Sequence, residues 1–190
     1  MTATLERSQG RGRLRLVALY VLIGGLLAFA RPTPTALGIG FALVTVGEAL
    51  RAWAAGYLRK NTELVTAGPY RYVRNPLYLG RVLIFTGLVT MAWLPHRLSL
   101  LALAVGYAVF FGVYMRRKEL VEPARLRRLH GDAYERYHRA VPAVWPSLTP
   151  YDRPSSSCWA WERFLRNREH WMFLGLLGVS AFLVWRGLFS

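Results

Sequence analysis

The residues best suited to chemistry lie between Asn61 and Gly80, in a polar, aromatic and basic stretch between long apolar segments. Gly68-Pro69 predicts a turn, and Asn75-Pro76 predicts a helix start with Asn75 as N-cap. Such a helix start offers free backbone N–H groups and a partial positive charge, which favour an anionic group. The side chains around it are cationic or aromatic: Arg71, Arg74, Tyr70, Tyr72 and Tyr78. The stretch is therefore suited to a small ligand with an anionic end and an aromatic base.

Composition narrows the class of protein. The 190 residues are 54% hydrophobic, yet the formal net charge is +15. Long apolar runs with basic connections are typical of a membrane protein, whereas a nucleic-acid binder shares the charge but not the runs. Cys158 is the one cysteine, which excludes an internal disulfide and a cysteine-based metal site. The four histidines lack metal-ligand spacing, so we expect no metal site. Because of the long apolar runs, we expect no nucleic-acid partner.

Five apolar segments predict an all-α integral membrane protein with about five transmembrane helices, in a single domain over residues 1–190. They are Leu14 to Ala30, Ala36 to Tyr57, Leu77 to Leu94, Leu98 to Met115 and His170 to Phe189. A signal peptide is the competing interpretation of the first segment. A re-entrant pair competes for the third and fourth, and an interfacial helix for the last.

Charge predicts the orientation. With five spans, the N-terminal arm, residues 59–75 and residues 116–168 share one side, which carries nearly all the lysines and arginines. The positive-inside rule then predicts a multi-pass protein with these segments in the cytoplasm.

Residues 116–139 predict a helix on the aqueous side that covers the ligand pocket. One face would carry Lys118, Glu122, Leu126, Leu129, Ala133 and Tyr137. Pro123 predicts a break or a kink at Glu122, with a new helix from Pro123. A kink would place Glu122 at a joint that faces the membrane helices. Residues 141–161 are rich in Pro, Ser and Trp, and we expect an irregular segment that follows the membrane interface. A plain linker is the default interpretation of its individual residues.

Two stretches resemble a known family. Leu64 to Tyr70 and Arg74 to Gly80 follow the patterns L-V-T-x-G-x-Y and R-H-P-x-Y-x-G, with Asn75 in the histidine place. They resemble the integral-membrane methyltransferases that include isoprenylcysteine carboxyl methyltransferase and phosphatidylethanolamine N-methyltransferase. A second, matching pattern comprises Lys118, Glu122-Pro123, Leu126, His130-Gly131, Tyr134, Tyr137 and Val141-Pro142. The resemblance covers about residues 40–146, and the C-terminal segment 170–189 lies beyond it.

The resemblance implies transfer of a methyl group from S-adenosylmethionine to a lipophilic acceptor in the membrane, among membrane lipids. It implies that Glu122 contacts the cofactor and that Lys118 takes the place of an arginine near the substrate. We expect the cofactor to be bound by Thr62, Glu63, Leu64, Val65, Tyr70, Asn75, Pro76, Leu77, Tyr78 and Glu122. No catalytic acid or base is assigned, because a carboxylate nucleophile needs none. An amine acceptor would need one, and Glu48, His130 and His138 are the candidates.

Two points stay open. Glu48 and Arg51 lie three residues apart in an apolar segment, where charges form either a structural pair or a functional site. The function has two alternatives: an NADPH-dependent enzyme similar to the membrane sterol reductases, and a non-catalytic membrane protein. The sequence does not name the methyl acceptor.

Overall fold

The computed structural model describes residues 21, 24–25, 27–59, 63–95 and 97–189. Over these residues the chain forms helices and no strands, which confirms the all-α class. The helices are α1 (Pro34–Tyr57), a 3-10 turn (Gly68–Arg71), α2 (Pro76–Ala92), α3 (Leu98–Val109), a π-helical turn (Phe110–Met115), α4 (Arg116–Ala140), α5 (Trp161–Arg166) and α6 (Glu169–Phe189). Thr62 and most of the predicted helix from Leu14 to Ala30 lie outside the described residues.

Several helices have the length and composition of membrane spans. They are Pro34–Tyr57, Glu169–Phe189 and the apolar first part of the continuous run Leu98–Ala140, while the apolar helix Pro76–Ala92 has 17 residues and is shorter. Large apolar side chains on these helices are exposed, as at Phe41, Leu101 and Leu177, which suits a lipid environment. The chain is therefore an integral membrane protein.

Helices α1 and α2 pack antiparallel through glycines two turns apart on each helix. A Cβ on Gly47 would lie 2.8 Å from the carbonyl oxygen of Gly80, and one on Gly87 would lie 2.6 Å from that of Gly40. Any side chain at these positions would separate the backbones, so small residues set the close approach.

The C-terminal helix α6 is tied to this pair. Leu183 packs in a core cluster with Ala30, Val44 and Met91. At the other end of α6, the Glu169 carboxylate accepts a hydrogen bond from Arg51 of α1 at 2.5 Å. The helix is thus part of the packed bundle and of the wall of the site described below.

Helix α4 bends at a glycine. It continues through Pro123 and departs from helical angles at Gly131, where φ is 49° and ψ is −129°. The helix is therefore not interrupted at Glu122, and the prediction of a new helix from Pro123 is wrong. A proline removes one N–H and leaves a helix able to continue, whereas a positive φ of this kind is readily adopted only by glycine. The bend lets Arg127 and Glu135 form an ion pair across it, although eight residues separate them.

Residues Val141 to Ala160, here called the strap, run along the 63–75 stretch. The strap is irregular, as predicted. Main-chain hydrogen bonds join Arg74 N to Pro142 O (2.9 Å), Ser147 N to Tyr72 O (2.8 Å) and Tyr151 N to Arg71 O (2.9 Å). Thr66 and Ser155 bond each other reciprocally, and Ser157 donates to Glu63 at 2.6 Å. The plain-linker interpretation is therefore wrong.

Candidate active site

A cavity of about 490 Å³ lies between the 63–75 stretch, the N-terminus of α2 and the first half of α4. Every described residue of the predicted site lines it: Glu63, Leu64, Val65, Tyr70, Asn75, Pro76, Leu77, Tyr78, Lys118 and Glu122. Glu63 and Leu64, with His130, also line an adjoining open cavity of about 460 Å³ under the strap. The structure thus brings both signature stretches to one space.

Tyr70 places an unpartnered hydroxyl in the cavity wall. Its side chain is 7% exposed, and among the described residues its hydroxyl has no hydrogen-bond partner. Burial raises the pKa of Tyr70 well above its usual range, and the nearby charges of Glu122 and Glu169 raise it further. The phenol is therefore neutral near pH 7, and its hydroxyl keeps both its donor and its acceptor capacity. The Tyr137 hydroxyl donates to the Tyr70 carbonyl at 2.8 Å and holds this turn in place.

Asn75 stands at the start of α2, as predicted, but its side chain does not cap the helix. Its amide nitrogen donates to Glu119 at 3.2 Å and to the Ala143 carbonyl at 2.9 Å. Arg74 donates to the same carboxylate at 3.1 Å. Glu119 therefore joins α4 to the start of α2, and the strap completes the junction through Ala143.

Lys118 and Glu122 meet one turn apart on α4. Their charged atoms lie 3.0 Å apart, and the Glu122 side chain is 46% exposed. Lys118 Nζ also lies 4.4 Å from the centroid of the Tyr78 ring. Glu122 lines the cavity, and its half-exposed carboxylate is accessible from it.

Tyr134, Tyr137 and His138 follow the Gly131 bend and pack against the site. Tyr134 and Tyr137 are buried with Val141. Burial, and then the Arg74 charge, lower the pKa of His138, whose Nε2 lies 4.0 Å from Glu119. Of the three candidate bases, His130 lines the cavity, whereas Glu48 and His138 do not.

The Arg51 pairing resolves one point that the sequence left open. Arg51 is buried and pairs with Glu169, and it donates to the Leu77 carbonyl at 3.0 Å. A structural ion pair therefore exists, but its acid comes from α6. Glu48 is also buried, and neither of its carboxylate oxygens has a hydrogen-bond partner within the described ranges.

Known proteins with similar sequences indicate the family of this chain. A family model described as phospholipid methyltransferase matches residues 35–124. The cobalt-zinc-cadmium resistance protein CzcN of Cupriavidus metallidurans is 33% identical over 176 residues, 87% of this chain and 77% of CzcN. The chain belongs to the phospholipid methyltransferase family.

Two further relatives match smaller parts of this chain. The nickel-cobalt-cadmium resistance protein NccN of Alcaligenes xylosoxydans xylosoxydans is 32% identical over 144 residues, 74% of this chain and 64% of NccN. The protein-S-isoprenylcysteine O-methyltransferase of Schizosaccharomyces pombe is 32% identical over 107 residues, 56% of this chain and 43% of that enzyme. No solved structure matches the chain significantly.

Several cavity residues were not predicted from the sequence, among them Arg81, Glu119, Asn167 and Glu169. Glu119 lies three residues from Glu122, and the helical period alone does not separate the two. Asn167 and Glu169 lie beyond the family match, and no local pattern connects Glu169 to Arg51. Arg81 could have been predicted as a site residue, because it is the one charged residue between Pro76 and Ala92.

Proposed function

We propose that this protein transfers a methyl group from S-adenosylmethionine to a lipophilic acceptor embedded in the membrane. The supporting observation is the single cavity in which the stretch from Glu63 to Tyr78 meets Lys118 and Glu122. Its volume lies within the range of about 300–1,000 Å³ that is usual for cofactor sites.

The described residues fit this cofactor. The unpartnered hydroxyl of Tyr70 suits a ribose or adenine heteroatom, and the half-exposed carboxylate of Glu122 suits the cofactor's ammonium group. S-adenosylmethionine supplies an activated methyl group on a cationic sulfur. The chain supplies position, because in-line methyl transfer gains most of its rate from proximity and alignment.

The surrounding contacts keep the site rigid. Tyr137 fixes the backbone of Tyr70, and Glu119 fixes Arg74 and Asn75 at the helix start. The strap is hydrogen-bonded along the same stretch. His130 is the base within reach when the acceptor is an amine or a thiol, since it lines the cavity.

The experiment uses the full chain, purified in lipid nanodiscs. S-adenosylhomocysteine should raise the thermal midpoint and NADPH should not. Incubation of membrane lipids with labelled S-adenosylmethionine should then give a labelled species that mass spectrometry identifies. Stabilisation by NADPH alone would replace the proposal with a reductase, and stabilisation by neither ligand would favour a non-catalytic protein.

We further propose that the cavity opens to the cytoplasm, where S-adenosylmethionine is made. Support comes from charge: the segments that build the cavity, residues 59–75 and 116–168, carry most of the lysines and arginines.

The names of two relatives refer to resistance to nickel, cobalt, zinc and cadmium. We propose that methyl transfer by this chain contributes to tolerance of such metals by changing a membrane component. A deletion strain should become more sensitive to cobalt, and the wild-type gene should restore tolerance. Equal rescue by a variant without methyl transfer would separate tolerance from the activity.

A further inference from the structure

The carboxylates that line the cavity are all engaged by cations. Four pairs account for them: Glu63 with Arg59 at 3.3 Å, Glu119 with Arg74 at 3.1 Å, Glu122 with Lys118 at 3.0 Å, and Glu169 with Arg51 at 2.5 Å. Negative charge in the wall is therefore neutralised before any ligand enters.

Arg81 is a cavity cation without such a partner. Within the described part of the chain, its guanidinium makes no hydrogen bond and no ion pair, and Cζ lies 5.1 Å from the centroid of Tyr78. Lys118 Nζ lies 4.4 Å from the same ring. Charged residues in apolar helices are costly and generally serve a function, and Arg81 is the one charge of α2.

We propose that Arg81 selects a methyl acceptor with an anionic head, a carboxylate or a phosphate; this inference rests on the proposed function. A guanidinium presents a planar set of N–H donors that matches either anion with two parallel hydrogen bonds. Lys118 is committed to Glu122 and adds a point charge nearby.

The surface beside Arg81 suits an apolar tail. Aromatic rings follow one another from Tyr78 to Phe110 (6.0 Å between centroids), Phe111 (5.0 Å), Tyr107 (6.3 Å) and Phe85 (6.1 Å). This row joins the cavity to α3 and the π-helical turn, within segments that have membrane composition. When the head group of the acceptor binds Arg81, its alkyl or isoprenoid chain can thus lie along these rings.

The test uses three probes with one chain length: decyl phosphate, decanoate and decanol. Their affinities for the purified full-length protein are measured through tryptophan fluorescence, below micellar concentrations. We expect at least one anionic probe to bind roughly tenfold more tightly than decanol, the value of one charge-assisted contact. The tighter of the two anions indicates whether the source is a phosphate or a carboxylate.

Variants locate that preference. Arg81→Gln should abolish the preference for an anionic probe without lowering the affinity for decanol. Arg81→Lys should retain part of the preference. Arg117→Gln is the matched control, because Arg117 is exposed, one residue from Lys118, and outside the cavity lining. A preference that survives Arg81→Gln, equal binding of the three probes by the wild type, or a loss of decanol binding in Arg81→Gln would each overturn the proposal.

S-adenosylhomocysteine separates this inference from the proposed function. It should stabilise wild type and Arg81→Gln equally. A wild type that it does not stabilise contradicts the proposed function, whatever the alkyl probes show. An Arg81→Gln protein that loses this stabilisation contradicts the assignment of Arg81 to the acceptor.

Discussion

The side chain of Arg51 crosses the helix surface at Gly80. A Cβ on Gly80 would lie 2.5 Å from Cγ and 3.2 Å from Cδ of Arg51. Beyond this crossing, the guanidinium reaches the Leu77 carbonyl and the Glu169 carboxylate. The last glycine of the signature stretch therefore makes room for the arginine that attaches the C-terminal helix to the site.

Gly80→Ala should destabilise the protein by about 1–3 kcal/mol, because the added methyl group meets the Gly47 carbonyl at 2.7 Å as well as Arg51. The thermal midpoint in one fixed detergent measures the effect. Gly175→Ala is the control, since a Cβ there has no atom within 4 Å. Equal midpoints for the Gly80 and Gly175 variants would contradict the close packing.

Glu169→Gln should cost about 3–5 kcal/mol of stability, since it leaves the buried Arg51 without its counter-charge. The double variant Arg51→Met, Glu169→Leu should lose less than the two single changes together. Glu162→Gln is the control: its partner Arg166 lies 4.0 Å away with both side chains exposed, so we expect less than about 1 kcal/mol. Additive effects of the two buried changes would argue against a coupled pair.

Glu122→Gln should weaken S-adenosylmethionine binding by about 1.5–3 kcal/mol, because it removes the charge that faces the cofactor's ammonium group. The 46% exposure of the side chain places the effect near the lower value. Isothermal titration with S-adenosylmethionine measures it.

Glu119→Gln provides the comparison for that variant. Since Glu119 accepts from Arg74 and Asn75, its loss should lower the thermal midpoint as well as cofactor affinity. Unchanged cofactor affinity in Glu122→Gln would remove Glu122 from the proposed site.

Stability should fall in mild acid through His138. Burial and Arg74 hold the pKa of His138 below its usual value of 6.5, so the unfolded chain binds the proton more readily. Its contribution is full above about pH 6.5 and is lost as the pH falls towards the folded pKa. His138→Gln should make the thermal midpoint depend less on pH between about pH 7.5 and 5.5. An unchanged slope would show that other groups set the dependence.

Labelling tests the orientation. In a Cys158→Ser background, Arg136→Cys should react with an impermeant maleimide only after the cells are permeabilised, since residues 116–168 are predicted to be cytoplasmic. Arg31→Cys should react in intact cells. Both residues are exposed, so access is governed by the membrane. Labelling of Arg136→Cys from outside would reverse the assigned side.

Much of the fold follows from sequence because apolar runs and helix-start signals are local. The predicted start at Asn75-Pro76 and the span from Ala36 to Tyr57 agree with α2 and α1 to within about two residues. The bend was misplaced because Pro123 is a strong local signal, whereas the need for a positive φ at Gly131 depends on how α4 packs against the strap.

The candidate site likewise contains residues that local sequence predicts and residues that it does not. The residues from Glu63 to Tyr78 were predicted together because they are contiguous, and Lys118 and Glu122 because they recur on one helix face. Arg51 and Glu169 are 118 residues apart, and only the packing of α6 on α1 brings them together. Glu119 was missed since its role depends on the rotation of α4 about its axis, which a helical period does not fix.

Between Pro142 and Tyr151 the strap contributes main-chain groups: the amides of Arg74, Ser147 and Tyr151 bond carbonyls across the pair of segments. Such bonds are indifferent to side-chain identity. Exchanges of residue type at Ser147 or Tyr151 should leave the register intact, whereas deletion of a single residue between Pro142 and Tyr151 shifts every later amide away from its carbonyl. The number of residues in this part of the strap therefore sets its register along the site, whereas the side chains of Ser155 and Ser157 hold the part that follows.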